Sequence, residues 1–167
     1  VFVDVEKLTG NIDVNILEKK ITKKTKGIIV VHMAGYPCEI RKIIKICKKN
    51  KLKLIEDCAH AVGTNYRNKH VGNFGISGCF SFYPTKQVTT GEGGMVVFQD
   101  KDAWSQAWSY KDHGKSYEAV YEREHTEGFR WLHESFGTNW RMTEIQAAIG
   151  RIQLKRMLDW HSKRITN

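Results

Sequence analysis

Nowhere in the 167 residues is there a run of about 18 or more apolar side chains, so a membrane-spanning helix is not expected. The opening VFVDVEKLTG has neither a basic n-region nor an apolar h-region, and a signal peptide is not expected there. The cysteines, Cys38, Cys47, Cys58 and Cys79, form no CxxC pair, and each lies in or beside an apolar segment. That usage predicts buried, reduced thiols in a cytoplasmic protein and speaks against disulfides or zinc. The histidines show no HExxH-type spacing, so no metal site is expected. There is no internal repeat, and no low-complexity segment beyond a lysine bias.

What is present is charge, and it is mostly positive. Lys and Arg number 27 against 18 Asp and Glu, a formal net charge of +9. The hydrophobic share of 41% is enough for a globular core, and the length suits one domain. The basic residues fall in 18–26, in 41–53 and near the end of the chain, not in one block. In 38–50, Ile40, Ile43, Ile44 and Cys47 recur at helical spacing with lysines between them. This predicts an amphipathic helix with a solvated basic face. Interleaved aromatics are missing there, so a nucleic-acid surface is not expected.

KGIIVVH (26–32) is short, β-branched and bounded by polar residues, which predicts a buried strand. KLKLIED (51–57) predicts another. Strand, helix and strand in succession make a βαβ unit with parallel strands. GCFSFY (78–83) and GGMVVF (93–98) predict two more buried strands. Asp100 is the expected N-cap of a helix carrying Trp104, Ala107 and Trp108. Residues 112–140 are aromatic-rich but have no period. A capping box, Thr143 with Gln146, predicts a helix after it, with Met142, Ile145, Ile149 and Ile152 as its apolar stripe. The expected architecture is α/β, a largely parallel sheet flanked by helices.

In such sheets the binding crevice lies at the carboxyl ends of the strands. Asp57 closes one predicted strand, and Lys86 follows another by three residues, next to the turn-forming TTGEGG. Taken singly, an aspartate after a strand is commonly a cap or turn residue, and a loop lysine is commonly solvated. TGEGG is no Walker motif, because no GK[ST] follows it. Together, a lysine placed to attack a carbonyl and an aspartate able to keep a pyridine nitrogen protonated are what pyridoxal 5'-phosphate (PLP) chemistry requires.

At this point FVDV (2–5), NID (11–13), VVHMAG (30–35), IEDCAHAVGTNY (55–66), VGNFG (71–75), CFSFYPTKQVTTGEGGMVV (79–97), KDHG (111–114) and GTNWRMTEIQAAIGRIQL (137–154) come into play. In order and spacing they resemble the DegT/DnrJ/EryC1/StrS family of PLP-dependent sugar aminotransferases, of fold type I. The resemblance implies Lys86 as the Schiff-base lysine and Asp57 as the partner of the pyridine nitrogen. It implies that His60 contacts the cofactor ring or its phenolic oxygen, that Ser81 contacts the phosphate, and that Asn139 reaches the phosphate of a neighbouring subunit's cofactor in a homodimer. Family members carry an N-terminal phosphate loop and a smaller C-terminal domain. Residues 1–167 are therefore expected to be a partial large domain, truncated at both ends. The implied reaction moves an amino group, usually from glutamate, to a nucleotide-linked keto sugar in aminosugar biosynthesis. Two other readings stay open: a non-catalytic remnant of the fold, and a sugar dehydratase relative, in which histidine replaces the lysine.

Overall fold

The computed structural model describes residues 1–125, 127–128 and 133–166. Its strands are β1 (Gly27–Val31), β2 (Lys53–Asp57), β3 (Asn65–Tyr66), β4 (Lys69–His70), β5 (Ser77–Ser81) and β6 (Gly94–Phe98). Its α-helices are α1 (Val14–Leu17), α2 (Ile40–Lys49), α3 (Lys101–Lys111), α4 (Tyr117–Tyr121) and α5 (Glu144–Thr166). The chain divides into two compact units, one of Val1–Val97 with the residues from Glu144 on, the other of Phe98–Thr143.

In the first unit the main sheet runs β1-β2-β5-β6. β1 and β2 are parallel, with Gly27 opposite Lys53 and Val31 opposite Asp57, and β2 and β5 are parallel, with Asp57 opposite Cys79. The predicted βαβ unit is therefore present. β1 alternates, with Ile28 and Val30 buried and Ile29 and Val31 exposed. Its inward residues pack with Leu54 of β2 and with Ile40, Ile43 and Cys47, the apolar stripe of α2. The lysines of α2 point to solvent, as the period required.

One buried carboxylate ties this half of the sheet together. Glu56 is fully buried. Its Oε1 accepts from the amides of Phe74 (2.6 Å) and Gly75 (2.7 Å), and its Oε2 from the Gly72 amide (2.8 Å) and His32 Nε2 (3.1 Å). His32 Nδ1 accepts from the Cys38 amide at 3.1 Å, which leaves Nε2 as the protonated nitrogen. Burial pushes the Glu56 carboxyl up, but the His32 and amide hydrogen bonds outweigh it and hold the group below its ordinary value.

In the second unit, Asp100 caps α3 as expected, its Oδ1 accepting from the Ala103 amide at 2.8 Å. The aperiodic stretch contains a short helix that its pattern did not announce, α4, capped by Ser116. Tyr117 of α4 packs on Trp104 and Trp108 of α3, with ring centroids 5.4 Å apart in both cases.

The stripe predicted for α5 does not face the interior of its unit. Ile145, Ile149 and Ile152 are exposed, and only Gly150 of the helix is buried. The face turned inward carries Gly150, Gln153 and Met157 instead, because it meets a polar loop. All four cysteines are free thiols, as expected, three buried and Cys79 partly so.

The Glu56 network generates a prediction. Glu56→Gln would turn an amide N–H toward backbone N–H groups, and we expect a loss of about 3–5 kcal/mol, the scale for breaking a buried pair, in urea unfolding. A carboxyl held low in the fold adds stability that is complete above its unfolded value of about 4.3 and is lost as pH falls through the lower folded value. The acid side of the stability profile should therefore flatten in Glu56→Gln.

Candidate active site

Pinning Glu56 inward fixes the direction of its neighbour. In a strand, successive side chains point to opposite faces, so Asp57 is turned to the other face at the carboxyl end of β2. Its Oδ1 accepts from the Ala59 amide at 3.0 Å, which turns the chain toward His60. The adjacent parallel strand β5 ends at Ser81, whose Oγ accepts from the Tyr83 amide at 3.3 Å. Asp57 and Ser81 thus end neighbouring strands on one edge of the sheet. β5 is shorter than its pattern suggested, so Lys86 follows its strand by five residues, not three.

Lys86 lies in the loop that joins β5 to β6. The loop closes on one carbonyl. Phe82 O accepts from the Thr90 amide at 3.0 Å and from Thr89 Oγ1 at 3.1 Å, while the Phe82 amide donates to Gly93 O at 2.8 Å. The Lys86 amide donates to Tyr83 O at 3.0 Å. These bonds leave the Lys86 side chain, half-buried, in a pocket of about 320 Å³ lined by His60, Thr85, Lys86, Gln87 and Arg164. Gln87 Nε2 donates to His60 O at 2.8 Å, joining the Lys86 loop to the segment after Asp57. Among the described residues, the Lys86 ammonium has no hydrogen-bond or ion-pair partner, and Gln87 Oε1 is buried without a donor. Among the described residues, the charged side chains lining this pocket are Lys86 and Arg164, with no acid, a lining that suits an anionic ligand.

Of the residues expected at the site, Lys86 and His60 share the pocket, and Asp57 and Ser81 stand at adjacent strand ends. Asn139 belongs to the second unit, where it bridges to Asp112 and its Oδ1 accepts from Arg141 Nε at 3.3 Å. Of the aromatics near it, Phe136 and Trp140 are exposed, and Trp131 lies outside the described residues. Gln87 and Arg164 were not singled out in the sequence. Gln87 is adjacent to Lys86 and was legible as a neighbour, whereas Arg164 is 78 residues away and carries no local signal.

His32, Glu56 and Cys58 bring three potential metal-ligand atoms within 4.8 Å of one another. Their hydrogen bonds explain the cluster without an ion. Both Glu56 oxygens and His32 Nδ1 are taken by donors, and burial, with the nearby Glu56 carboxylate, pushes the Cys58 thiol up to about 12. A metal would have to displace this network, including three backbone amides.

An open α/β sheet with a pocketed lysine beyond its strand ends is the fold of the large domain of type I aminotransferases. The chain belongs to the DegT/DnrJ/EryC1/StrS aminotransferase family, which matches residues 1–167. It is similar to an aminotransferase from Psychrobacter cryohalolentis, with 55% identity and a TM-score of 0.96 over 99% of this chain and 42% of that one. It is also similar to the GDP-perosamine synthase of Escherichia coli O157:H7, at 42% identity over 98% of this chain and 42% of that protein. A third similar structure, at 30% identity and a TM-score of 0.88 over 99% of this chain and 45% of that one, is a GDP-4-keto-6-deoxymannose-3-dehydratase. The chain thus spans about two fifths of the length of the relatives it matches, 42% in the first two cases.

The buried thiols are poor nucleophiles. Burial raises both Cys38 and Cys58 to about 12. Iodoacetamide at about pH 8, where only thiolates react, should leave both unlabelled in the folded protein and label both after denaturation, as read by peptide mass.

Proposed function

We propose that the protein is a PLP-dependent transferase that moves an amino group, from glutamate, to a keto sugar carried on a nucleotide. The observation that carries this reading is Lys86, half-buried, without a partner for its ammonium among the described residues, in a pocket shared with His60. A lysine facing a pocket, free of ion pairing to the described residues, is suited to amine chemistry. The residues present fit the cofactor. The lining can meet a phosphate-bearing, electron-poor ring, and Gln87 Oε1 awaits a donor. Family membership and the similarity to aminotransferases support the same reading.

When bound, PLP would supply an electron sink for the carbon that gains or loses the amino group. Lys86 would anchor it, yield its place to the amino donor, and then move the proton at the reacting carbon as general acid and base. Asp57 would hold the proton on the ring nitrogen. His60 would pack on the ring, and the Ser81 hydroxyl would donate to the phosphate. Asn139 would serve a neighbouring subunit's site, making the working form a homodimer, with Phe136 and Trp140 as exposed anchors at the contact. We place the reaction in the cytoplasm; no helix among the described residues is long and apolar enough to cross a membrane.

The similarity to a dehydratase favours one rival, elimination from the sugar in place of amino transfer. Lys86 weighs against it, since the dehydratase reading expects histidine at that position. A non-catalytic remnant of the fold is disfavoured by the joint presence of Lys86 and Asp57.

Borohydride reduction of the natural protein with PLP, followed by peptide mapping, should place the pyridoxyl group on Lys86. An adduct on another lysine, with Lys86 unmodified, overturns the assignment. Lys86→Ala should abolish amino transfer, and Asp57→Ala should weaken both cofactor binding and turnover by about tenfold or more, the scale of a lost charged contact. A deaminated or dehydrated sugar as the sole product would favour the rival chemistry.

A further inference from the structure

The loop that carries Lys86 is closed within itself through Phe82 O, but it is held in place from outside by α5. Gln153 Oε1 accepts from the Thr89 amide at 3.1 Å. Gln146 Nε2 donates to Glu92 O at 2.8 Å. Between them, Gly150 is bare toward Thr90; a Cβ there would lie 2.9 Å from Thr90 Cγ2. One turn further, Met157 touches the backbone at Gly63, where an added Cβ would meet its Cε at 3.2 Å. Positions 146, 150, 153 and 157 are spaced by four, three and four, so they form one face of the helix. That face is built to grip the loop at Glu92, Thr90 and Thr89, and it reaches the pocket again at Arg164.

Thr89 is the pivot of this grip. It lies three residues beyond Lys86. Its amide goes to Gln153, while its hydroxyl donates to Phe82 O and accepts from the Gly91 amide at 3.0 Å. Freeing the Thr89 amide would loosen the residue on which the loop closes. We propose that Gln153 is a positioning residue for Lys86, acting through the Thr89 amide to fix where the lysine stands in the pocket. The proposal rests on the reading of Lys86 as the cofactor lysine, and extends it to a helix whose contact residue lies 64 positions beyond Thr89.

The test uses the natural protein with Gln153→Leu, which keeps the bulk and removes the acceptor, and Gln153→Glu, which keeps an acceptor oxygen. The first readout needs no cofactor: amide hydrogen exchange of the 82–94 segment. We expect protection there to fall about tenfold in Gln153→Leu and to be retained in Gln153→Glu, the scale of one lost hydrogen bond to a partly buried amide. The second readout is the initial rate at which PLP and borohydride label Lys86, expected to fall about tenfold in Gln153→Leu and to be rescued in Gln153→Glu. Wild-type exchange and wild-type labelling in Gln153→Leu overturn the proposal. If Gln153→Leu unfolds, Gln153→Glu decides: a folded variant that loses loop protection, or labels slowly despite its acceptor, also overturns it. Absence of any Lys86 adduct in the unsubstituted protein overturns the cofactor reading instead, and the exchange result then still decides whether Gln153 holds the loop.

Discussion

The buried carboxylate of Glu56 is the constraint on which the rest of the first unit depends. A carboxylate removed from water is costly unless every lone pair finds a donor. Here the donors come from two separate places: His32 just after β1, and the amides of Gly72, Phe74 and Gly75 ahead of β5. Satisfying one group therefore forces a strand end, a loop and the next strand into register. The same requirement turns Asp57 to the opposite face, at the edge where Ser81 also ends. The polar core and the candidate site are two sides of one strand.

Two kinds of support meet at that edge. The sheet supplies fixed points, Asp57 and Ser81, whose positions follow from backbone ladders. Lys86 stands on a loop, and a loop is less exact unless something outside it carries its backbone. α5 does this with side-chain amides and a missing Cβ, not with apolar packing, which explains why its inward face is poor in hydrophobic residues and its isoleucines face outward.

The four strands of the main sheet, α2 and the parallel βαβ unit were legible as short apolar runs and a helical period. But β6, expected to be buried, is largely exposed, because no other element covers its Met95 and Val96 among the described residues. The two-residue β3 and β4 are too short to write a period. Lys86, Asp57, His60 and Ser81 are proposed as a set through their place in recognisable segments. What stayed hidden was long-range and polar. A glutamate in KLKLIED reads as a solvated residue, and nothing local announces that His32, 24 residues earlier, will meet it. The isoleucines of α5 gave a true helical period but not its inner face, since periodicity reports a stripe and not what the stripe will meet. Gln153 has the same weakness as a signal: its partner is 64 residues away, and glutamine is common on exposed helices.

That separation bears on how the protein is made. The chain leaves the ribosome from its N-terminus, and domains fold as they emerge. The pieces around Glu56 are all present by residue 75, so the polar core can close early. The loop bearing Lys86 has its own internal ring by residue 93, yet it lacks its outer support until residue 153 has been synthesised and α5 has docked. The nascent chain can thus close the polar core around Glu56 before the loop bearing Lys86 gains its outer support from α5.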